Sequence, residues 1–293
     1  MKALPTSDFR AKRLMLEKKD FALFSGRFPG ATDLIRKSTW KHIISLPDDV
    51  SIRTSDKFGS KLEQINEYGD IWGRTVLGIQ ALSKSPRKSP MAIAACDAAD
   101  EFQASTYCAL VGYYRVAFSC LRNVLEQMTI ATRLALIVDA KSFADWRNAE
   151  TRIGFGWAAD TLPQRAEVVA IEQHLKRLTG DSLFAQSPKG FARRLFGQLS
   201  KYTHGAAGFT DADFRQSNGP IFVSKTFLAW CGATVKTYAL AVHELKLGAP
   251  NLKELPHGPP SVSLDEFRCR VVKDIPAHDR DRRFLRSLAD FWP

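Results

Sequence analysis

The strongest hydrophobic pattern in the chain runs from Gly112 to Asp139, GYYRVAFSCLRNVLEQMTIATRLALIVD. At about 100° per residue, Ala117, Cys120, Leu121, Val124, Leu125, Met128, Ala131 and Ala135 fall on one broad apolar arc. Arg115, Ser119, Arg122, Glu126, Thr129 and Arg133 fall on a narrow arc of roughly 80°. This spacing predicts a helix buried over most of its circumference. Its one polar seam must meet water, a ligand, a partner or polar side chains of a neighbouring element, because ionised groups are rarely buried unpaired.

Similar periodicity sets the rest of the chain. Weak helical spacing over 8–20, with Asp8 as cap, precedes a loop over 21–30 and a helix from Thr32 or Asp33 to Ser45, ended by Pro47. Phe58, Leu62 and Ile65 predict a helix from Ser55 or Asp56 to Tyr68, with Gly69 past its end. For 71–82 the type stays open: Gly73 and Gly78 weaken a helix, and Val76, Leu77 and Ile79 suit a strand. The basic, proline-containing stretch 84–90 reads as a linker. Beyond it, two antiparallel helices, 91–110 and 113–138, turn at Gly112. Helical character follows at 146–159, interrupted by Gly154 and Gly156, and at 164–178, stopped by Gly180. Further helices are expected from Pro188 to Tyr202 and from Pro220 to Leu247, separated by a glycine-rich loop over 205–219. A segment over 264–272 fits strand or helix, and 280–291 is expected to dock through Phe284, Leu285, Leu288 and Phe291. The fold class is therefore mainly α. A smaller helical or mixed region at 1–83 precedes the linker 84–90, an antiparallel helical bundle spans 91–247, and a packed tail spans 248–293.

Composition narrows the partners. With 293 residues and 45% hydrophobic content the chain can bury a real core. A net charge of +11 and a pI near 9.5 favour RNA or another polyanion, although the charges are mixed in sign and form no dense basic run. The five cysteines lack Cys-x-x-Cys or zinc-type histidine spacing and read as reduced core thiols, so no metal and no cofactor is expected. No stretch approaches the ~20 apolar residues of a membrane span, and the first residues lack a signal-peptide core, which together predict a cytoplasmic protein with no membrane partner.

No phosphate-binding glycine loop, nucleophile elbow, zinc motif or calcium loop occurs. What remains is the seam itself, joined by Arg193, Lys201 and His204 from the helix near 190–204. Arg122 and Glu126 are four apart and can pair across one turn, which serves equally an ion-paired outer face or a phosphate clamp. His204 at a helix end can cap that helix or transfer a proton near neutral pH.

The strings GYYRVAFSCLRNVLE at 112–126 and LSKYTHG at 199–205 resemble bacterial helical proteins related to the HEPN superfamily. The resemblance covers about 90–247 and implies a helical-bundle domain, homo-oligomeric or bound to a partner protein, of the kind found in RNA-cleaving toxins and antiviral systems. Active members carry an Arg-x4–6-His pair that acts on RNA without metal. Here the corresponding positions hold Leu199, Gln198 and Gly197, and Arg193 lies eleven residues from His204, about 16 Å along a helix axis. Lys201, or Arg122 across a helix interface, is left to substitute. The resemblance implies His204, Arg122 and Glu126 as catalytic residues and Arg115, Arg133, Lys201 and Arg193 as nucleic-acid contacts. The competing expectation is a non-catalytic sensor or scaffold that binds protein or nucleic acid through the same basic face. A pocket for a phosphorylated small molecule is a third.

Overall fold

A computed structural model describes residues 43, 46–82, 89–137, 139–186, 189–203 and 220–249, and in the tail 270, 271, 273, 279 and 281–291. The predicted helix at 8–20, nearly all of the one at 32–45, the core of the linker 84–90, the loop 205–219 with His204 before it, and most of 264–272 lie outside the described residues. The described elements are all helical: α1 Leu46–Leu82, α2 Pro90–Leu110, α3 Tyr114–Leu136, α4 Ala140–Arg147, α5 Phe155–Thr161, α6 Ala166–Thr179, α7 Phe191–Thr203, α8 Ser224–Gly248 and α9 Arg282–Ala289. A short 3-10 turn, Leu162–Gln164, joins α5 to α6.

The bundle is organised around α3. It packs along α2 and α8 and receives α7 and α5 on its remaining side. Its apolar arc is buried as the spacing requires, with Ala117, Leu121, Val124, Leu125, Met128 and Ala131 fully enclosed. The α2–α3 hairpin has clear local causes. Ser89 Oγ accepts from the Ala92 N–H at 3.3 Å and Pro90 occupies the first turn of α2. The turn at Gly112 needs φ +86°, and a Cβ there would run into the backbone of Ile221.

The region before the linker differs from its sequence pattern in one respect. Residues 46–82 form one long helix that passes straight through Gly69 and Gly73 and bends only at Phe58, whose ring stacks on Phe227 at 4.9 Å. Pro47, expected to stop the preceding helix, lies in the first turn of α1, where its missing N–H costs nothing. Ile65, Tyr68, Ile71, Trp72 and Val76 are buried at helical spacing. Their burial, worth roughly 1.5–3 kcal/mol for each large side chain, outweighs about 1 kcal/mol per interior glycine. Period won over local propensity.

Buried polar atoms explain how the helices are held in register. The indole N–H of Trp72 donates to Ala95 O at 3.0 Å. The indole of Trp230 donates to Ser105 Oγ at 2.9 Å, and that hydroxyl donates to Ala117 O at 2.8 Å, linking α8, α2 and α3. Buried threonines Thr54, Thr75, Thr132 and Thr234 return their hydroxyls to the carbonyl four residues back, so they enter the core without an orphaned donor. The predicted helix over 146–159 resolves into α4 and α5, with Asp139 capping the Ser142 N–H at 2.9 Å. α6 ends at Gly180, φ +74°, as expected of a left-handed stop. The tail docks through Phe284, Leu285 and Leu288, with Phe284 stacked on Phe191 at 5.0 Å. Lys236 pairs with both Asp279 and Asp281 at 2.8 Å and fixes the start of α9.

Candidate functional site

The polar seam of α3 faces the helices packed on it. Arg122 donates from Nε to Ser200 Oγ at 3.2 Å on α7, pairs through Nη1 with Glu126 Oε2 at 3.1 Å, and lies over the ring of Phe196 at 4.7 Å. Arg122 and Glu126 are 21% and 24% exposed, so the pair is only partly hydrated and its attraction is less screened than at a free surface. Glu126 Oε1 also accepts a long bond from the Phe155 N–H, 3.4 Å, at the start of α5. One carboxylate thereby orients the guanidinium and meets an otherwise open helix donor. Phe155 stacks on Phe196 at 3.9 Å, which holds this arrangement from below.

Two turns earlier on the same seam, Arg115 Nε donates to Tyr202 O at 3.3 Å, a carbonyl of the last turn of α7. The Tyr202 ring stacks on Phe118 at 3.9 Å. Arg115 and Arg122 therefore converge on residues 200–202, and the chain continues from there through Thr203 to His204. Lys201, in the same turn, is exposed.

The remaining predicted contacts gather elsewhere. Arg133 lies about 16 Å along α3 from Arg122. Its Nε donates to Thr161 Oγ1 at 2.8 Å and its guanidinium sits 5.4 Å from the centre of the Trp157 ring. Arg193 donates to Phe184 O at 2.8 Å and pairs with Asp160. Both arginines anchor α5. The structure thus brings together Arg115, Arg122 and Glu126 at the end of α7, and holds Arg133 and Arg193 against a different element.

Two features escape the sequence reading. Arg165 donates to Leu136 O at 2.8 Å close enough to Arg133 that the two guanidiniums repel. Burial first, and then Arg165, lower the Arg133 pKa from its ordinary value. Arg133 Nη1 and Arg165 Nε are both buried without a hydrogen-bond partner among the described residues, Arg165 Nε lying 3.8 Å from Glu167. The second is Glu244, fully buried on α8, whose Oε1 accepts from Thr129 Oγ1 at 2.6 Å and whose Oε2 has no partner among the described residues. Desolvation pushes its pKa up to about 8, only partly offset by the Thr129 bond, so the carboxyl is mostly neutral at pH 7. The signal was present: Glu244 shares its helical stripe with Leu240, Ala241 and Leu247, all apolar and buried.

Burial raises the pKa of the Cys108, Cys120 and Cys231 thiols, away from activation. Cys120 and Cys231 are pushed up to about 12, chiefly by burial, while Cys96 and Cys108 are half-buried rather than core residues. Among the described residues no group of three or more His, Cys, Asp or Glu could hold a metal ion, and no helix is long and apolar enough to cross a membrane. Comparison with protein-family models, curated proteins and solved structures returned no match.

Proposed function

We propose that this is an RNA-associated, HEPN-like protein of a toxin or antiviral-defence type, acting as a metal-independent ribonuclease, in which Arg122 and Glu126 work with His204. The observation that carries this reading is the Arg122–Ser200 hydrogen bond. It brings a guanidinium from α3 to the turn of α7 next to Leu199, one of the positions where active relatives carry their own arginine. In the reaction, the His204 imidazole takes the proton of an RNA 2′-hydroxyl, the 2′-oxygen attacks the adjacent phosphorus, and the 5′-oxygen leaves with a returned proton. Arg122 offsets the charge that grows on the phosphoryl oxygens, and Glu126 keeps its guanidinium in place. Arg115 and Lys201 contribute phosphate contacts near the same helix end, with Arg133 and Arg193 extending the basic face toward α5. Self-association, implied by the same resemblance, is measured by sedimentation.

The test is incubation of the purified chain with end-labelled RNAs of diverse sequence in the presence of a chelator. Cleavage leaving 2′,3′-cyclic phosphate and 5′-hydroxyl ends, lost in His204→Ala and reduced about 100-fold in Arg122→Ala, is the expected result. Intact RNA under all conditions overturns the catalytic reading. One finding favours the non-catalytic alternative: Arg115, Arg122, Arg133 and Arg193 each already bond a protein acceptor. A chain that leaves RNA intact but binds it with a steep salt dependence would be the scaffold or sensor of that second reading.

A further inference from the structure

The passage from α5 into α6 lays three side chains along the last turns of α3. Trp157, Thr161 and Arg165 follow one another at intervals of four residues. Thr161 Oγ1 accepts from Arg133 Nε at 2.8 Å, and Arg165 Nη2 donates at 2.8 Å to Leu136 O, three residues beyond Arg133. Two guanidiniums are thereby fixed side by side, each tied to the protein by one edge, and near enough for their charges to oppose one another. Arg133 also lies over the Trp157 ring, 5.4 Å from its centre.

The other edges are not used by the fold. Arg133 Nη2 and Arg165 Nη1 hydrogen-bond no described residue, and unlike Arg133 Nη1 and Arg165 Nε they are not sealed from solvent. Trp157 is 41% exposed, an uncommon outlay of apolar surface, and the Arg165 side chain is 36% exposed. Of the neighbouring acids, Asp160 is taken by Arg193 and Asp139 by Ser142. Glu167 stands 3.8 Å from Arg165 Nε, too far for a hydrogen bond. An open indole beside two free donor edges combines the two elements of a single-strand nucleotide site: a plane on which any base stacks, and forks that match a phosphate.

We propose that Trp157, Arg133 and Arg165 form a stacking site for one nucleotide of single-stranded RNA, the base lying against the exposed part of the indole and its phosphate bridging the two guanidiniums. A shared phosphate removes the repulsion between the arginines and gives each an acceptor for its free edge. Recognition through an aromatic face tolerates any sequence but needs an unpaired base. The site rests on the RNA-associated reading and adds to it a ligand class, unpaired strands, held about 16 Å along α3 from Arg122.

The test is fluorescence anisotropy with the full chain and labelled 2′-O-methyl oligoadenylate, whose blocked 2′-oxygen prevents cleavage. Beside it run an abasic spacer strand with the same number of phosphates and a 2′-O-methyl duplex. Wild type is expected to bind the adenine strand at least about fivefold more tightly than the spacer strand. Trp157→Ala should weaken the adenine strand about tenfold and leave the spacer strand and the duplex unchanged, while Trp157→Phe restores most of the loss. Arg165→Met, which leaves the indole in place, should weaken adenine and spacer strands alike and lower the salt slope by about 0.7. Helical circular dichroism checks that each variant is folded. Equal wild-type affinity for adenine and spacer strands, an equal loss on both in Trp157→Ala, or undiminished binding in folded Trp157→Ala or Arg165→Met overturns the site and leaves RNA association standing. A wild-type chain that binds none of the strands overturns the RNA reading and the site with it.

Discussion

Arg122 Nε donates to Ser200 Oγ at 3.2 Å, joining two helices whose sequence separation is 78 residues. Because the same guanidinium pairs with Glu126 and covers Phe196, it works both as a rivet between α3 and α7 and as the best-oriented cation near the end of α7. Removing either partner breaks a part-buried hydrogen bond between the two helices. Arg122→Ala is expected to cost about 1–3 kcal/mol and Ser200→Ala about 1 kcal/mol. In a double-mutant cycle read by urea unfolding, the pair should couple by at least ~0.5 kcal/mol. Strict additivity would show that the bond contributes nothing.

Glu244 makes stability fall with rising pH. Its folded pKa, about 8, lies above the ordinary glutamate value of 4.5, so between these limits the folded chain holds a proton that the unfolded chain has released. The favourable contribution is complete below about pH 4.5 and is lost as pH rises to about 8, with a slope of up to about 1.4 kcal/mol per unit. Glu244→Gln keeps an oxygen for the Thr129 hydroxyl and cannot ionise. Against wild type, the variant should gain progressively in urea midpoint from pH 5 to pH 8. A constant difference across that range would place the carboxyl outside the titration.

Two glycines should respond to alanine with opposite signs. Gly112→Ala combines φ +86° with a clash against the Ile221 backbone, so a loss above ~2 kcal/mol is expected. Gly197 lies inside α7, where a Cβ would meet nothing within 4 Å. There alanine should stabilise by about 0.5–1 kcal/mol. Thermal unfolding of the two variants checks both. A destabilised Gly197→Ala would mean that its place is taken by something in contact with α7.

Periodicity made the architecture legible wherever burial is one-sided. The α2–α3 hairpin, its Gly112 turn and the Gly180 stop follow from local chemistry, and the apolar arc of α3 is the buried face. The continuity of α1 was not legible at Gly69 and Gly73, because local propensity weakens a helix there and only the tertiary burial of Ile71, Trp72 and Val76 decides it. The seam was legible as a set of charges but not as a set of destinations. Arg115 and Arg122 go to α7 while Arg133 goes to Thr161 on α5, and one helix's wheel contains no information about which neighbour covers which turn. Arg165 was missed for the same reason, since it reaches Arg133 only through the packing of the α5–α6 turn.

Arg133 separates a structural role from a binding role most sharply. Its Nη1 is buried without a partner among the described residues, and Arg165 repels it, so its charge is a poor stabiliser of the fold. Its stem and plane still fill space beside Trp157. Arg133→Met keeps the packing and removes the charge, at the loss of one hydrogen bond to Thr161. Stability should therefore stay within ~1 kcal/mol of wild type or rise. If the guanidinium serves a phosphate, the same variant must bind RNA more weakly and show a salt slope reduced by about one. A charge that costs the fold and aids the ligand is the signature of a binding residue. Unchanged RNA affinity and slope, with stability clearly lost, would instead make Arg133 a strut for α5 and confine the basic contacts to the end of α7.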